Sequence, residues 1–123
     1  MQYLLLIYNA ESNWNTLPES EGMKMLQEFG EFTQSIIASG NYKGGNRLHD
    51  VDKATTVRVQ NGKKLVTDGP FAETKEQLLG FYVVDCQALE EALDIARELA
   101  KVNPGGSYEV RPIAVYFPPG ASA

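Results

Sequence analysis

The chain has 123 residues, the length of one domain, with 43% hydrophobic and 22% charged residues, an ordinary composition for a globular protein. Eleven lysines and arginines against sixteen aspartates and glutamates give a net charge of −5, which argues against direct nucleic-acid binding because that needs a concentrated positive surface. The single cysteine excludes an intrachain disulfide and a multi-cysteine metal site, and the single histidine excludes a polyhistidine site. No apolar run is long enough for a membrane helix. We therefore expect a cytoplasmic protein without cofactors.

The first part of the chain predicts a strand and then a long helix. Residues 2–8 are continuously apolar, which is typical of a strand buried on both faces. A capping-box pattern around Pro18 and apolar residues at helical spacing up to Gly40 predict an amphipathic helix over 18–39. Residues 41–53 predict a loop with a short strand near its middle.

A β-hairpin is predicted next. Residues 55–60 alternate between small or apolar and polar side chains, as a half-buried strand does. Asn61-Gly62 is a strong signal for a two-residue turn, because both turn positions need positive φ. With 63–67 as the return strand, this turn puts Asp68 opposite Thr55, on the more apolar face of the hairpin.

The rest of the chain predicts five segments: a helical turn over 72–77, a central strand over 78–86, an amphipathic helix over 89–100, a strand over 108–117 and a flexible tail over 118–123. Because Pro112 has no N–H to give to a ladder, we expect an edge or a bulge at that position.

The element order predicts one α+β domain over residues 1–117. Two helices on a mainly antiparallel sheet is close to the ferredoxin-like, split βαβ plan. Residues 2–8 and 78–86 are apolar on both sides, whereas the helices cover only one face of such a sheet. A second chain is the simplest cover, so we predict a homodimer with its sheets face to face.

The segment Asp68 to Glu76, DGPFAETKE, is the main candidate site. A carboxyl group at the edge of an apolar face suits general acid–base catalysis when a pocket lies over it, so Asp68 is the candidate catalytic residue. Phe71 would line that pocket, and Glu73 and Lys75 add charges within one turn. The alternative is structural, because Asp-Gly-Pro is favourable turn chemistry and Phe71 would then only fill the core.

Three basic side chains are further candidates. Arg58 and Arg111 lie in predicted strands, where each needs either an anionic ligand or an internal glutamate partner, and we favour the partner. His49 lies in a polar loop, for which solvation is favoured over weak metal binding.

The aromatic residues and the cysteine have two interpretations each. Tyr8, Trp14 and Tyr82 either line a pocket mouth or belong to the core or an interface. Cys86 has no cationic neighbour in sequence, which favours an inert thiol over a reactive one.

These residues carry a family resemblance. Asp68 to Glu76 resembles the signature of the DGPF proteins, a branch of the YCII-related family. Residues 54–58, 79–82 and 109–112 and the opening strand also resemble that family, so the resemblance covers essentially the whole chain. It implies a dimeric α/β barrel of ferredoxin-like subunits.

For function, the resemblance implies a pocket. Simpler YCII proteins are thought to hold a His-Asp pair, whose aspartate corresponds to Asp68 and whose histidine would fall near Phe29, where this helix has none. Carboxylate chemistry around Asp68 is therefore expected, and His49 is the one imidazole that could assist it. We predict a dimeric binder or enzyme for a small anionic or polar ligand; the alternative is a non-catalytic sensor or accessory protein in an extracytoplasmic-function sigma factor pathway.

Overall fold

The computed structural model describes residues 1–102, 105–117 and 119–120. The elements along these residues are β1 (Gln2–Asn9), α1 (Ser12–Asn15), α2 (Glu19–Ala38), β2 (Tyr42–Arg47), β3 (Thr55–Gln60), β4 (Lys63–Asp68), β5 (Gln77–Asp85), α3 (Leu89–Val102) and β6 (Ser107–Pro112). A short 3-10 turn, Val51–Lys53, precedes β3. None of the described helices is long and apolar enough to cross a membrane.

Four strands form one antiparallel sheet in the order β2-β5-β1-β6. Strands β1 and β2 run in the same direction on either side of β5, and α2 connects them. The predicted α+β class with an antiparallel sheet is therefore confirmed. The described residues contain three helices rather than two, because the polar stretch after β1 folds into the short helix α1. Their strands form no closed barrel within one chain.

The core lies between one face of this sheet and the helices α2 and α3. Alternate residues of β1 point to that face, so that Tyr3, Leu5 and Ile7 are buried while their neighbours are only partly covered. The helices contribute Phe32 and Ile36 from α2, and Ala92, Ile95, Ala96 and Leu99 from α3. The opposite face of the sheet carries no helix.

Three predicted boundaries differ from the structure. Residues 72–77 form no helical turn. The Thr74 hydroxyl donates to the Glu76 carbonyl, the Gln77 side-chain Nε2 donates to the Thr74 carbonyl, and β5 begins at Gln77. The strand predicted up to 117 ends at Pro112, which is opposite Tyr3, the second residue of its partner β1. The short strand expected near the middle of 41–53 is instead the six-residue strand β2.

Other predictions concern the end of the chain. Pro112 lies at the end of the edge strand β6, so the expected edge is confirmed. Residues 118 and 121–123 of the predicted tail lie outside the described residues, and the single domain over 1–117 stays a prediction.

The strands β3 and β4 form a separate two-stranded sheet. Their register has Thr55 opposite Asp68, as predicted from the turn. The expected half-burial is wrong for the single chain, because the β3–β4 hairpin leaves Val57 and Val66 62% and 68% exposed. Its base is closed by the Gly69 amide, which donates to the Ala54 carbonyl over 2.6 Å.

Candidate ligand-binding site

A cavity of about 220 Å³ lies between α2 and the helix-covered face of the sheet, beside the edge strand β2. Its wall is mainly apolar and aromatic and includes Ile7, Trp14, Leu26, Phe29, Leu79 and Tyr82. Polar groups of Thr33, Asn46, Arg47 and Asp50 join this lining. A concave apolar space with a few polar groups is the usual form of a small-molecule site.

Two glycines allow β2 and Tyr82 to approach each other at the floor of the cavity. A Cβ atom on Gly45 would lie 2.7 Å from Cδ1 of Tyr82, closer than such atoms pack. A Cβ atom on Gly80 would collide with the carbonyl oxygen of Asn46 on β2. Glycine at these two positions therefore lets the Tyr82 ring lie across β2 and leaves no side chain opposite Arg47, the register partner of Gly80.

Trp14, the one tryptophan of the chain, is brought to the cavity by α1. The buried Asn9 side chain holds the turn into this helix, since its Oδ1 accepts from the Ala10 amide and from Asn13 Nδ2, each over 2.8 Å. The indole ring lies 5.5 Å from the Phe29 ring between centroids. Its Nε1 donor is buried and has no hydrogen-bond partner among the described residues.

Arg47 lies over the same indole, with its guanidinium carbon 5.3 Å from the ring centroid. This is within the range of a cation–π contact, which orients the guanidinium without neutralising it. Among the described residues Arg47 forms no ion pair, and the nearby Asp50 carboxylate instead accepts from Asn15 Nδ2 over 3.0 Å. The cavity therefore has a cation with hydrogen-bond donors to offer.

Two hydroxyl groups meet at the wall formed by α2 and β5. Thr33 Oγ1 and the Tyr82 hydroxyl are 2.6 Å apart, and Thr33 Oγ1 also donates to the Phe29 carbonyl over 2.9 Å. Burial raises the pKa of Tyr82 above its ordinary value of 10.0, an effect that Tyr42 reinforces. The Tyr82 hydroxyl therefore remains protonated near neutral pH.

Three carboxylates, Glu11, Asp50 and Asp52, lie near one another beside the loop after β2, and Asp50 also lines the cavity. Glu11 Oε2 accepts from the Val51 amide over 3.0 Å and so ties the start of α1 to the loop after β2. Partial burial, reinforced by Asp50 and Asp52, raises the pKa of Glu11 above its ordinary value of 4.5, although the Val51 amide opposes that rise. No group of three or more His, Cys, Asp or Glu side chains able to hold a metal occurs among the described residues.

Comparison with known proteins identifies the family. The YCII-related domain matches residues 1–116 of this chain. The chain belongs to the YCII-related family. An uncharacterised protein of Rhizobium meliloti (strain 1021) is 44% identical to this YCII-related protein over 119 residues, which are 96% of each chain. The resemblance stated from the sequence is therefore confirmed at the level of the family.

The predicted site residues of this YCII-related protein fall into separate places. Tyr82 lines the cavity, and so does Trp14. His49 is exposed in an adjoining, more open cleft of about 450 Å³ that Arg47 shares. Tyr8 lies on the opposite face of the sheet, since it alternates with the buried Ile7 and Asn9.

The signature segment lies away from both spaces. Asp68, Glu73 and Lys75 are exposed, and Phe71 is 79% exposed. None of them lines either cavity formed by the described residues, so an acid–base role for Asp68 stays a prediction. The segment is anchored at its end, where the Glu76 carboxylate accepts from the Ser107 hydroxyl.

The two strand arginines are exposed rather than half-buried. Arg111 pairs with Glu109 over 2.6 Å, one of the internal glutamate partners considered for it. Arg58 forms no ion pair within the part of the chain that the structure describes. Cys86 is buried, and desolvation, with Glu91 and Asp85 nearby, raises the pKa of its thiol, in agreement with an inert cysteine.

Thr33 and Arg47 are among the residues of the cavity that were missed as site candidates. Each has a signal in the sequence. Thr33 is a polar residue among the apolar positions of α2, and Arg47 follows Gly44-Gly45, a pair of small residues that leaves room beside a strand.

Proposed function

We propose that this YCII-related protein binds a small organic anion in the cavity beneath α2. The observation that carries the proposal is Arg47, a cation in the cavity wall that lies over Trp14 and has no carboxylate partner among the described residues. A guanidinium binds planar anions such as carboxylates through paired hydrogen bonds.

The shape of the cavity supports a ligand with an apolar, ring-sized body. Its volume of about 220 Å³ is below the range of about 300–1,000 Å³ that is common for drug-sized ligands. Aromatic walls from Trp14, Phe29 and Tyr82 favour a flat ring between them. An aromatic monocarboxylate therefore matches the space and its charge.

The test uses Trp14 as a reporter, because selective excitation of tryptophan observes this one side chain. Benzoate should change its fluorescence in a saturable way, whereas the neutral benzamide should bind more weakly. Arg47→Gln should weaken benzoate binding roughly tenfold to a hundredfold, the range expected for charge-assisted hydrogen bonds. Arg58→Gln, which removes an equal charge from the exposed β3, should bind as the wild type does. Equal benzoate affinity in Arg47→Gln and wild type would contradict the proposal.

We also propose that the functional unit is a homodimer. The helix-free face of the sheet has an apolar centre in two cross-strand pairs, Leu4 with Val83 and Leu6 with Phe81. The strand order β2-β5-β1-β6 with helices on one face is ferredoxin-like and supports the α/β barrel that the DGPF resemblance implies. A second copy, packed sheet against sheet, is the occupant with matching chemistry.

A dimer would also bear on the acid–base prediction for Asp68. This residue shares its hairpin face with Val57 and Val66, both of which are highly exposed in one chain. A partner subunit that covers that face would enclose Asp68 in an apolar surface, where a carboxyl group can act as an acid or base. Asp68→Asn would then abolish turnover of a bound substrate while leaving benzoate binding intact.

The non-catalytic alternative rests on the exposed signature segment. Phe71 at 79% exposure offers an anchor for another protein, such as a component of a sigma factor pathway. Under this alternative, Phe71→Ser would abolish binding to a purified extracytoplasmic-function sigma factor without changing the oligomeric state. Absence of any binding by the wild type would exclude it.

A further inference from the structure

The hydroxyl pair in the cavity wall has a defined direction. Thr33 Oγ1 carries one proton, and the helix geometry uses it in a bond to the Phe29 carbonyl, four residues earlier. The contact of 2.6 Å between Thr33 Oγ1 and the Tyr82 hydroxyl is a hydrogen bond in which one of the two oxygens must supply the proton. Since the Thr33 proton is engaged, Tyr82 is the donor and Thr33 the acceptor.

We infer that Tyr82 offers the cavity only an acceptor, and that Thr33 and Tyr82 together select ligands carrying a hydroxyl or N–H group. This inference rests on the proposed anion site and specifies its ligand. The Tyr82 proton points to Thr33, so lone pairs are what remains of the hydroxyl for a ligand. A ligand acceptor placed there would face another acceptor and lose its bond to water without replacement.

The surroundings of Tyr82 keep this arrangement in place. Its ring packs edge-on against Phe32 and Tyr42, with centroids 5.6 and 6.2 Å away. The backbone of Gly45 lies against the ring on the side of β2. These contacts hold the ring, so the hydroxyl oxygen stays next to Thr33.

The register of the sheet places Tyr82 and Arg47 at separate positions of the cavity wall. Tyr82 is opposite Gly45, and Arg47 lies two residues further along the same face of β2. The two backbone positions are therefore about 7 Å apart, so an anionic group bound by Arg47 and a donor group at Tyr82 belong to different parts of one ligand. An aromatic acid whose ring carries a hydroxyl or amino group on the side away from the carboxylate has this arrangement.

The experiment compares two probes of similar shape, 4-hydroxybenzoate and 4-methoxybenzoate, by calorimetry and Trp14 fluorescence. The wild type should bind the hydroxy acid about tenfold more tightly, since only that probe can donate to Tyr82. Tyr82→Phe should remove this preference by weakening the hydroxy acid alone. Thr33→Val, which frees the Tyr82 proton to serve the methoxy oxygen, should reduce the preference by improving the methoxy probe.

The controls separate this inference from the anion site. Thr67→Val, an equivalent change on the exposed strand β4, should keep the tenfold preference. Equal affinity of the two probes in the wild type, with both still dependent on Arg47, overturns the inference and leaves the anion site standing. Failure of both probes to bind overturns the anion site and the inference with it. If Thr33→Val does not fold, the comparison of the wild type with Tyr82→Phe decides alone.

Discussion

Single residues determine the chemistry of the cavity, and Gly45 is an example because its backbone lies close to the Tyr82 ring. Its missing side chain is what lets the Tyr82 ring lie against β2, and Tyr82 in turn meets Thr33. The neighbouring Gly44 has no atom within 4 Å of the position its Cβ would take. Two adjacent glycines of one strand therefore have different roles, one in packing and one not.

Gly45→Ala should destabilise the protein and disturb the cavity. The added methyl group must displace Tyr82 or separate β2 from β5, at a cost of about 1–3 kcal/mol for an overpacked site. Urea denaturation should show that loss, and the preference for 4-hydroxybenzoate should decrease. Gly44→Ala is the matched control and should change neither quantity. A Gly45→Ala variant as stable as Gly44→Ala would show that Tyr82 does not depend on this contact.

At the scale of elements, α1 depends on its neighbours rather than on its own length. A helix of four residues has little intrinsic stability, so side-chain bonds from Asn9, Glu11 and Asn15 must hold it. Two of these bonds join α1 to the loop after β2, next to Arg47. The wall that carries Trp14 is therefore stabilised through carboxylates, which makes it sensitive to pH.

Glu11→Gln should change how stability depends on pH. Because the pKa of Glu11 is raised, the folded protein binds a proton at this residue more tightly than the unfolded protein does. The resulting contribution to the free energy of unfolding is present below the ordinary pKa of 4.5. It is lost as the pH rises through the pKa of the folded state. A glutamine retains an oxygen for the Val51 amide without the charge. Relative to the variant, the wild type should therefore lose stability between mildly acidic and neutral buffer.

Urea denaturation of both proteins across this pH interval measures the difference. Glu73→Gln, which changes an exposed side chain of the signature segment, is the control and should show a much smaller dependence. A gap between the wild type and Glu11→Gln that stays constant with pH would contradict the prediction.

Some elements follow from local sequence and others do not. The hairpin register was predictable residue by residue, because a two-residue turn at Asn61-Gly62 fixes every pair. Strand β2 was predicted only as a short strand within residues 41–53, because its glycines give no apolar alternation, and the cavity beside it was not predicted. The exposure of Asp68 could not be predicted for another reason. Alternation shows which side chains share a face of a strand, but not what covers that face.

At the scale of the whole molecule, the two faces of the four-stranded sheet differ in how well they are covered. The helices cover one face, while Leu6, Phe81 and Val83 lie near the centre of the other and are only partly buried. The free energy available from burying such apolar surface, about 25 cal/mol per Å², favours association of two copies. Two charged residues of β6 share this face, because Glu109 is opposite Leu6 and Arg111 is opposite Leu4.

Val83→Asp should convert the dimer to a monomer. A carboxylate at the centre of a packed sheet interface would lose its hydration without gaining a partner. Size-exclusion chromatography with light scattering should give twice the chain mass for the wild type and a single chain mass for the variant. Gln60→Asp adds the same charge at the exposed hairpin turn and should remain dimeric. A monomeric wild type would refute the face-to-face dimer.

The proline at the end of β6 has a consequence for behaviour at high concentration. An open sheet edge is a template on which strands of other molecules can add, and this is a route to aggregation. At the β6 edge, Pro112 lacks the N–H that such pairing needs, and the charged residues Glu109 and Arg111 precede it. At the other edge, β2 contains Lys43 and two glycines. Growth of fibres from either edge is therefore discouraged, so the chain can associate through its faces without polymerising through its backbone.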